Sequence, residues 1–259
     1  MRGTPFPLLV PAALAAAFLT LPLAGLLVRT PWPRVPAVLT APGVADALRL
    51  SVLTASGATV ACVVLGVPLA WVLARSALPG RRLVRAVVTV PMVLPPVVGG
   101  VALLLVLGRN GPIGRLLAAV GVTLPFTTPG VVVAQTFVAM PFLVVAVEGA
   151  LRAADARLEQ AAATLGASRW YALRHVTLPL VAPGIAAGAL LSWARALGEF
   201  GATITFAGSL PGVTRTVPIE VYRSLDQGDA DAAVVLSMVL LTASVLVLVA
   251  LRGRWAATR

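Results

Sequence analysis

Arg195 and Glu199 stand four residues apart inside an otherwise apolar run. A charge at the centre of a bilayer costs on the order of 2.5 to 3.5 kcal/mol on insertion scales, so both side chains must face protein or water. Their i, i+4 spacing lets them pair on one helical face. Two roles fit that arrangement: a purely structural ion pair, or a charged element of a pathway or gate. Covalent chemistry has little to work with. The sequence contains no lysine, which excludes a Walker A loop, and HExxH, a nucleophile-elbow GxSxG and paired Asp motifs for prenyl diphosphates are all absent. One histidine, His175, and one cysteine, Cys62, cannot build a zinc site or an internal disulfide, so no metal and no catalytic residue is expected. Cys62 lies in an apolar run and reads as a small core residue.

The other stretch with functional character runs from Leu158 to Pro183. It has no unbroken apolar run long enough to cross a bilayer, and it carries Glu159, Gln160, Arg169, Arg174 and His175. Asp155 to Leu165 is rich in Ala, Glu, Gln and Leu, which favour helix, and Gly166 supplies a stop. Ser168 can cap a second short helix reaching about His175, before Pro179 and Pro183 interrupt it. A compact helical hairpin on a membrane surface is predicted.

The elements that hold these residues are set by hydropathy. Of 259 residues 59% are hydrophobic and 11% charged, with mean hydropathy +0.98, so the chain is an all-α polytopic membrane protein rather than a soluble domain. Apolar runs predict six transmembrane helices, at 8–28, 47–73, 84–107, 129–151, 181–206 and 232–251, in one membrane domain over 1–259. The first run is read as an uncleaved helix in preference to a signal peptide, since it exceeds a usual signal core and many spans follow. Pro91, Pro95 and Pro96 in the third run free backbone groups that neighbouring helices or water must satisfy. Residues 30–42, 108–128 and 209–231 read as connectors.

The net charge of +11 is carried by arginine alone. These arginines are dispersed between apolar runs without interleaved aromatics, which argues for a bilayer and against nucleic acid. With both termini inside, twelve arginines fall on inner segments, from Arg2 through Arg75, Arg81, Arg82, Arg85, Arg152, Arg157, Arg169, Arg174, Arg252 and Arg254 to Arg259; seven fall on outer ones. The positive-inside rule therefore puts both termini and the 152–180 loop in the cytoplasm.

That loop resembles the coupling loop of the permease subunits of bacterial ABC importers. The family pattern is EAA, three residues, Gly, nine residues, Ile, any residue, Leu-Pro; here it reads Gln160-Ala161-Ala162, Gly166, Val176, Leu178-Pro179. Gln160 stands where the family has Glu, and the adjacent Glu159 lies about 100° further round a helix. The segment SWARALGEFGATITFAGSLPG at 192–212 is similar to the signature of the molybdate permease subfamily, whose near relatives carry sulfate or thiosulfate. VPLAWVLAR at 67–75, LPPVVGGVALLLVLGRNGPIG at 94–114, QTFVAMPFLVVAVEGALR at 135–152 and TVPIEVY at 216–222 agree with it.

The resemblance implies a coupling helix between the fourth and fifth spans. Glu159, Gln160, Ala161, Ala162, Gly166, Leu178 and Pro179 would engage the ATPase. The implied partners are two cytoplasmic ABC ATPase subunits, an external oxyanion-binding protein and a second permease copy, in the bacterial cytoplasmic membrane. The chain itself would bind no cofactor, ATP and Mg being used by the ATPase. Molybdate is the implied substrate, with tungstate and sulfate or thiosulfate as alternatives. A stand-alone secondary transporter or channel is the reading from a different class, and it would leave the coupling motif an accident.

Overall fold

The computed structural model describes residues 6–76 and 79–256, so Arg2 and Arg259 of the arginine pattern lie outside the described residues. Helix accounts for nearly all of it, and no strand occurs among the described residues. The chain is an all-helical membrane protein, with five helices long and apolar enough to cross a bilayer and a sixth crossing if one bent pair is counted.

Three helices make the centre: α3 (Pro42–Arg75), α7 (Thr128–Ala153) and α10 (Leu178–Leu197). They pack against one another through Ala55, Ala58, Cys62 and Ala70 on α3, Ala139, Leu143 and Val147 on α7, and Val181 and Ala196 on α10. Within a bilayer the lipid tails are as apolar as leucine, so close backbone approach between small residues, rather than hydrophobic burial, holds helices together. Gly184 and Gly188, four apart on α10, face Ala150 and Ala146, four apart on α7. A Cβ at Gly184 would lie 2.4 Å from the Ala150 Cβ, a clash that only glycine avoids.

Around this core, α1 (Phe6–Arg29) touches α13 (Ala230–Ala256) and has no buried residue in its span. The segment expected as a connector at 30–42 contains a 3₁₀ turn at Trp32–Arg34 and the short α2 (Val35–Thr40).

The third expected crossing is not one helix. It splits into α4 (Arg81–Val93) and α5 (Pro96–Leu107), bent by 119°. Pro95 pushes Leu94 out of helical geometry to ψ 132°, Pro95 itself is extended at ψ 128°, and Pro96 then starts a new helix at a position needing no N–H. At roughly 20 Å and 18 Å, neither half reaches across a hydrocarbon layer of about 30 Å. Arg85 on α4 bonds Glu148 near the C-terminal end of α7, while α6 (Pro112–Ala119) leads into the N-terminal end of α7.

The fifth expected crossing, 181–206, is also corrected at both ends. It breaks at Gly198–Phe200, after which α11 (Gly201–Ala207) packs against α5 and α7. At its start, Pro179 and Pro183 do not interrupt it. The short α9 (Arg169–Ala172) passes through one π-helical turn at Leu173–Thr177 straight into α10, so that Arg169–Leu197 is continuous. The Leu178 N–H reaches back five residues to the Leu173 carbonyl, and Pro179 then falls in the first turn of the resumed α-helix, where its missing donor costs little.

The connectors at 108–128 and 209–231 likewise contain helices, α6 and α12 (Val217–Asp226). Each carries a proline in its first turn. α12 is pinned to α3 by the Val217 N–H donating to Ser51 Oγ at 2.7 Å and by burial of Val217 with Val44, Ala47 and Leu236.

Candidate functional site

The hairpin is built by three local devices. The Asp155 carboxylate accepts the Arg157 N–H at 2.9 Å and starts α8 (Ala156–Thr164). At its end the Ala167 N–H reaches the Ala162 carbonyl and the Gly166 N–H reaches the Ala163 carbonyl, both at 3.0 Å. That is a Schellman stop, with Gly166 at φ +86° as the left-handed residue it requires. Ser168 Oγ then accepts the Tyr171 N–H at 3.2 Å and starts α9. The Tyr171 and His175 rings stack at 4.2 Å along that second arm.

Glu159 and Gln160, adjacent in sequence, point to different places. Gln160 and Ala161 are exposed and Ala162 is half-buried. Glu159 turns inward, where its Oε1 takes the Arg75 Nη2 at 3.1 Å and the Thr177 hydroxyl at 3.0 Å. Arg75 is the last residue of α3, and its Nη2 also donates to the Ala154 carbonyl at 3.3 Å. Leu178 and Pro179 lie beyond the π turn, at the root of α10 rather than on the hairpin tip.

Alongside the exposed Arg157, Gln160, Arg169, Arg174 and His175, the hairpin presents large apolar side chains outward. Leu165 is 89% exposed and Trp170 68%, with Leu158 and Tyr171 about half exposed. A recess of about 590 Å³ opens beside the Gly166 turn between Ala162, Leu165 and Tyr171. A larger one of about 770 Å³ lies between the hairpin and the end of α3, lined by Trp71, Arg75, Gln160, Arg169 and Trp170 among others. Sequence reading passed over Leu165 and Trp170; the available signal was large apolar side chains inside a loop otherwise too polar to enter the bilayer.

Arg195 occupies the far end of α10, roughly 26 Å from Leu178 along the axis, and Glu199 follows just beyond it. Arg195 Nη1 bonds Glu199 Oε2 at 2.7 Å. Glu199 sits in the break before α11 at 1% exposure, and its Oε1 accepts the Ala202 N–H at 2.8 Å, capping that helix. Arg195, at 28%, keeps part of its side chain accessible. The two sets of candidate residues are thus not brought together; α10 connects them.

A second charged cluster escaped sequence reading. Glu148, buried near the end of α7, takes Arg85 Nε at 3.0 Å and Arg152 Nη2 at 2.7 Å, which fastens α4 to α7 on the hairpin side. On the opposite side Glu220 pairs with Arg215 and Arg223, and Arg34 with Asp231.

Residues 66–257 match the family of binding-protein-dependent transport system inner membrane components. The Mycobacterium tuberculosis molybdenum transport system permease protein ModB is 50% identical over 95% of this chain and 92% of its own length. The Escherichia coli sulfate transport system permease protein CysT is 36% identical over 89% of this chain and 84% of its own. Among solved structures, a bacterial ABC transporter involved in alginate import superposes with a TM-score of 0.74 at 20% identity, covering 98% of this chain and 96% of that one. Similarity of this extent, on a shared helical fold, makes the chain a member of the binding-protein-dependent transport system inner membrane component family, within the group that includes the molybdenum and sulfate permeases.

Proposed function

We propose that this chain is the permease subunit of an ATP-driven, binding-protein-dependent importer of molybdate in the bacterial cytoplasmic membrane. The observation that carries the transport mechanism is the unbroken helix from Arg169 to Leu197, which welds the hairpin to a bilayer-crossing segment. A force applied at Trp170 has no loop in which to dissipate before it reaches α10.

In this reading both termini and the hairpin are cytoplasmic. Two copies of the chain enclose the path, one ATPase docks under each hairpin, and an external binding protein delivers the oxyanion. Leu158, Gln160, Leu165 and Trp170 form the docking face, where apolar anchors in a partner's groove supply the contact. ATP and Mg act in the partner, whose closure displaces the hairpins and, through α10, the Arg195–Glu199 break. The chain catalyses no covalent step. Alternating access follows if the two arrangements of that break open the path to opposite sides.

The 50% identity to a molybdenum permease supports molybdate. The 36% identity to a sulfate permease keeps sulfate as a second reading, since both are tetrahedral dianions. Cellular molybdenum, measured by elemental mass spectrometry in strains lacking or expressing the chain, tests this with and without excess sulfate. Accumulation that depends on the chain and resists sulfate is the expected result; abolition by sulfate installs the second reading.

A further inference from the structure

One carboxylate oxygen ties α8 to the ends of α3 and α10 and, through Arg75, to the end of α7. Glu159 Oε1, on α8, receives Arg75 Nη2 from the end of α3 and the Thr177 hydroxyl from the π turn that begins α10. The same Nη2 reaches Ala154, the residue that follows α7. Without these contacts α8 would hang on two non-helical residues, Ala154 at ψ 129° and Asp155 at ψ 114°, a natural hinge. With them the hinge is braced from inside. Arg75 and Glu159 are both largely removed from solvent, at 17% and 29% side-chain exposure, so screening leaves more of the pair intact than at an open surface.

We infer that Glu159 is a positioning residue and not a docking residue: Glu159, Arg75 and Thr177 form a strut that makes α8 move as one body with α3, α7 and the α9–α10 helix. This rests on the reading that the hairpin receives an ATPase. It also accounts for the uncharged Gln160. The one carboxylate of α8 serves the inside of the molecule, and the outward face carries no acidic side chain on this helix. A flexible hinge at Ala154–Asp155 would let α8 follow the ATPase while the continuous α9–α10 helix and the other spans stayed still, so loss of the strut weakens the coupling of hydrolysis to transport.

The test uses the complete importer in liposomes, with molybdate uptake and ATP hydrolysis read in the same vesicles. Glu159→Gln and Arg75→Gln are each expected to lower molybdate moved per ATP about tenfold, the scale of one lost charge-assisted hydrogen bond. The double variant is expected to be no worse than either single one, because both remove the same link. Thr177→Val, which keeps the ion pair, gives a smaller loss. In a Cys62→Ala background, Arg75→Cys with Glu159→Cys bridged by a short bis-thiol reagent restores the ratio.

Three results overturn the strut. If Glu159→Gln strips the ATPase from the purified permease while Arg75→Gln does not, Glu159 is a docking residue. Bridging the cysteine pair could abolish uptake, which would mean that the hairpin must move against α3. Losses that multiply in the double variant would show two independent roles. Wild-type vesicles that retain the ATPase yet show no ATP-dependent uptake overturn the importer reading, and the strut with it.

Discussion

At the scale of single residues the Arg195–Glu199 pair separates two duties that spacing alone leaves merged. The i, i+4 interval was legible in the sequence; the helix break between them was not, because Gly198 inside an apolar run reads as a tolerated glycine. Once the break is seen, Glu199 has a second partner in the Ala202 N–H, and its burial makes the carboxylate the structural member of the pair. Glu199→Gln keeps an acceptor for that N–H but leaves Arg195 uncompensated, whereas Glu199→Leu removes both. Because the Arg195 left behind is partly accessible, breaking the pair from this side costs less than the roughly 3–5 kcal/mol of a fully buried pair, and losing the cap costs about 1 kcal/mol. The unfolding midpoint in detergent should fall in the order wild type, Glu199→Gln, Glu199→Leu. Arg195, the more accessible partner, is the one to test for a part in the pathway: Arg195→Gln is expected to insert normally and transport more slowly, and undiminished uptake would leave it a purely structural cation.

At the scale of elements, hydropathy shows which runs are apolar enough to lie in a bilayer and hides their shape. The average over 84–107 is apolar whether or not the chain turns by 119° inside it, and the turn is written only in Leu94-Pro95-Pro96, where two prolines in succession force extended backbone. Pro179 misled in the opposite direction. A proline after a loop motif reads as an interruption, yet one π turn shifts the hydrogen-bond register so that it begins a helix. The α7–α10 seam was legible in principle from Gly184 and Gly188, spaced four apart, although sequence reading did not use them. That seam gives a sharp contrast. Gly184→Leu puts side-chain atoms where Ala150 already lies and should abolish folded yield after detergent extraction. Gly149→Ala, one residue away on α7 with nothing within 4 Å of the added carbon, should raise helix stability by roughly 0.5–1 kcal/mol. Equal behaviour of the two variants in size-exclusion chromatography would mean that α7 and α10 are not in the contact described.

For the whole molecule, orientation is the property on which every functional statement hangs, and it comes from arginine distribution rather than from any contact. Charge clusters brace both faces, Arg75–Glu159 and Arg85–Glu148–Arg152 on one, Arg215–Glu220–Arg223 and Arg34–Asp231 on the other, so helix packing by itself does not say which face meets the cytoplasm. The chain offers a clean reporter, since its single cysteine, Cys62, is fully buried between α3 and α7. Leu165→Cys, at a position 89% exposed on the hairpin, should therefore be the only site that a membrane-impermeant maleimide modifies. In right-side-out vesicles the reagent should leave it untouched, and in inverted vesicles it should label it fully. Adding the purified ATPase to the inverted vesicles should slow labelling, because the apolar tip would then lie in the partner's groove. Labelling from the outside would reverse the topology and remove the ATPase from reach of the hairpin. Labelling from the inside that the ATPase leaves unchanged would keep the topology and move the docking face off Leu165, toward the larger recess between Trp71 and Trp170.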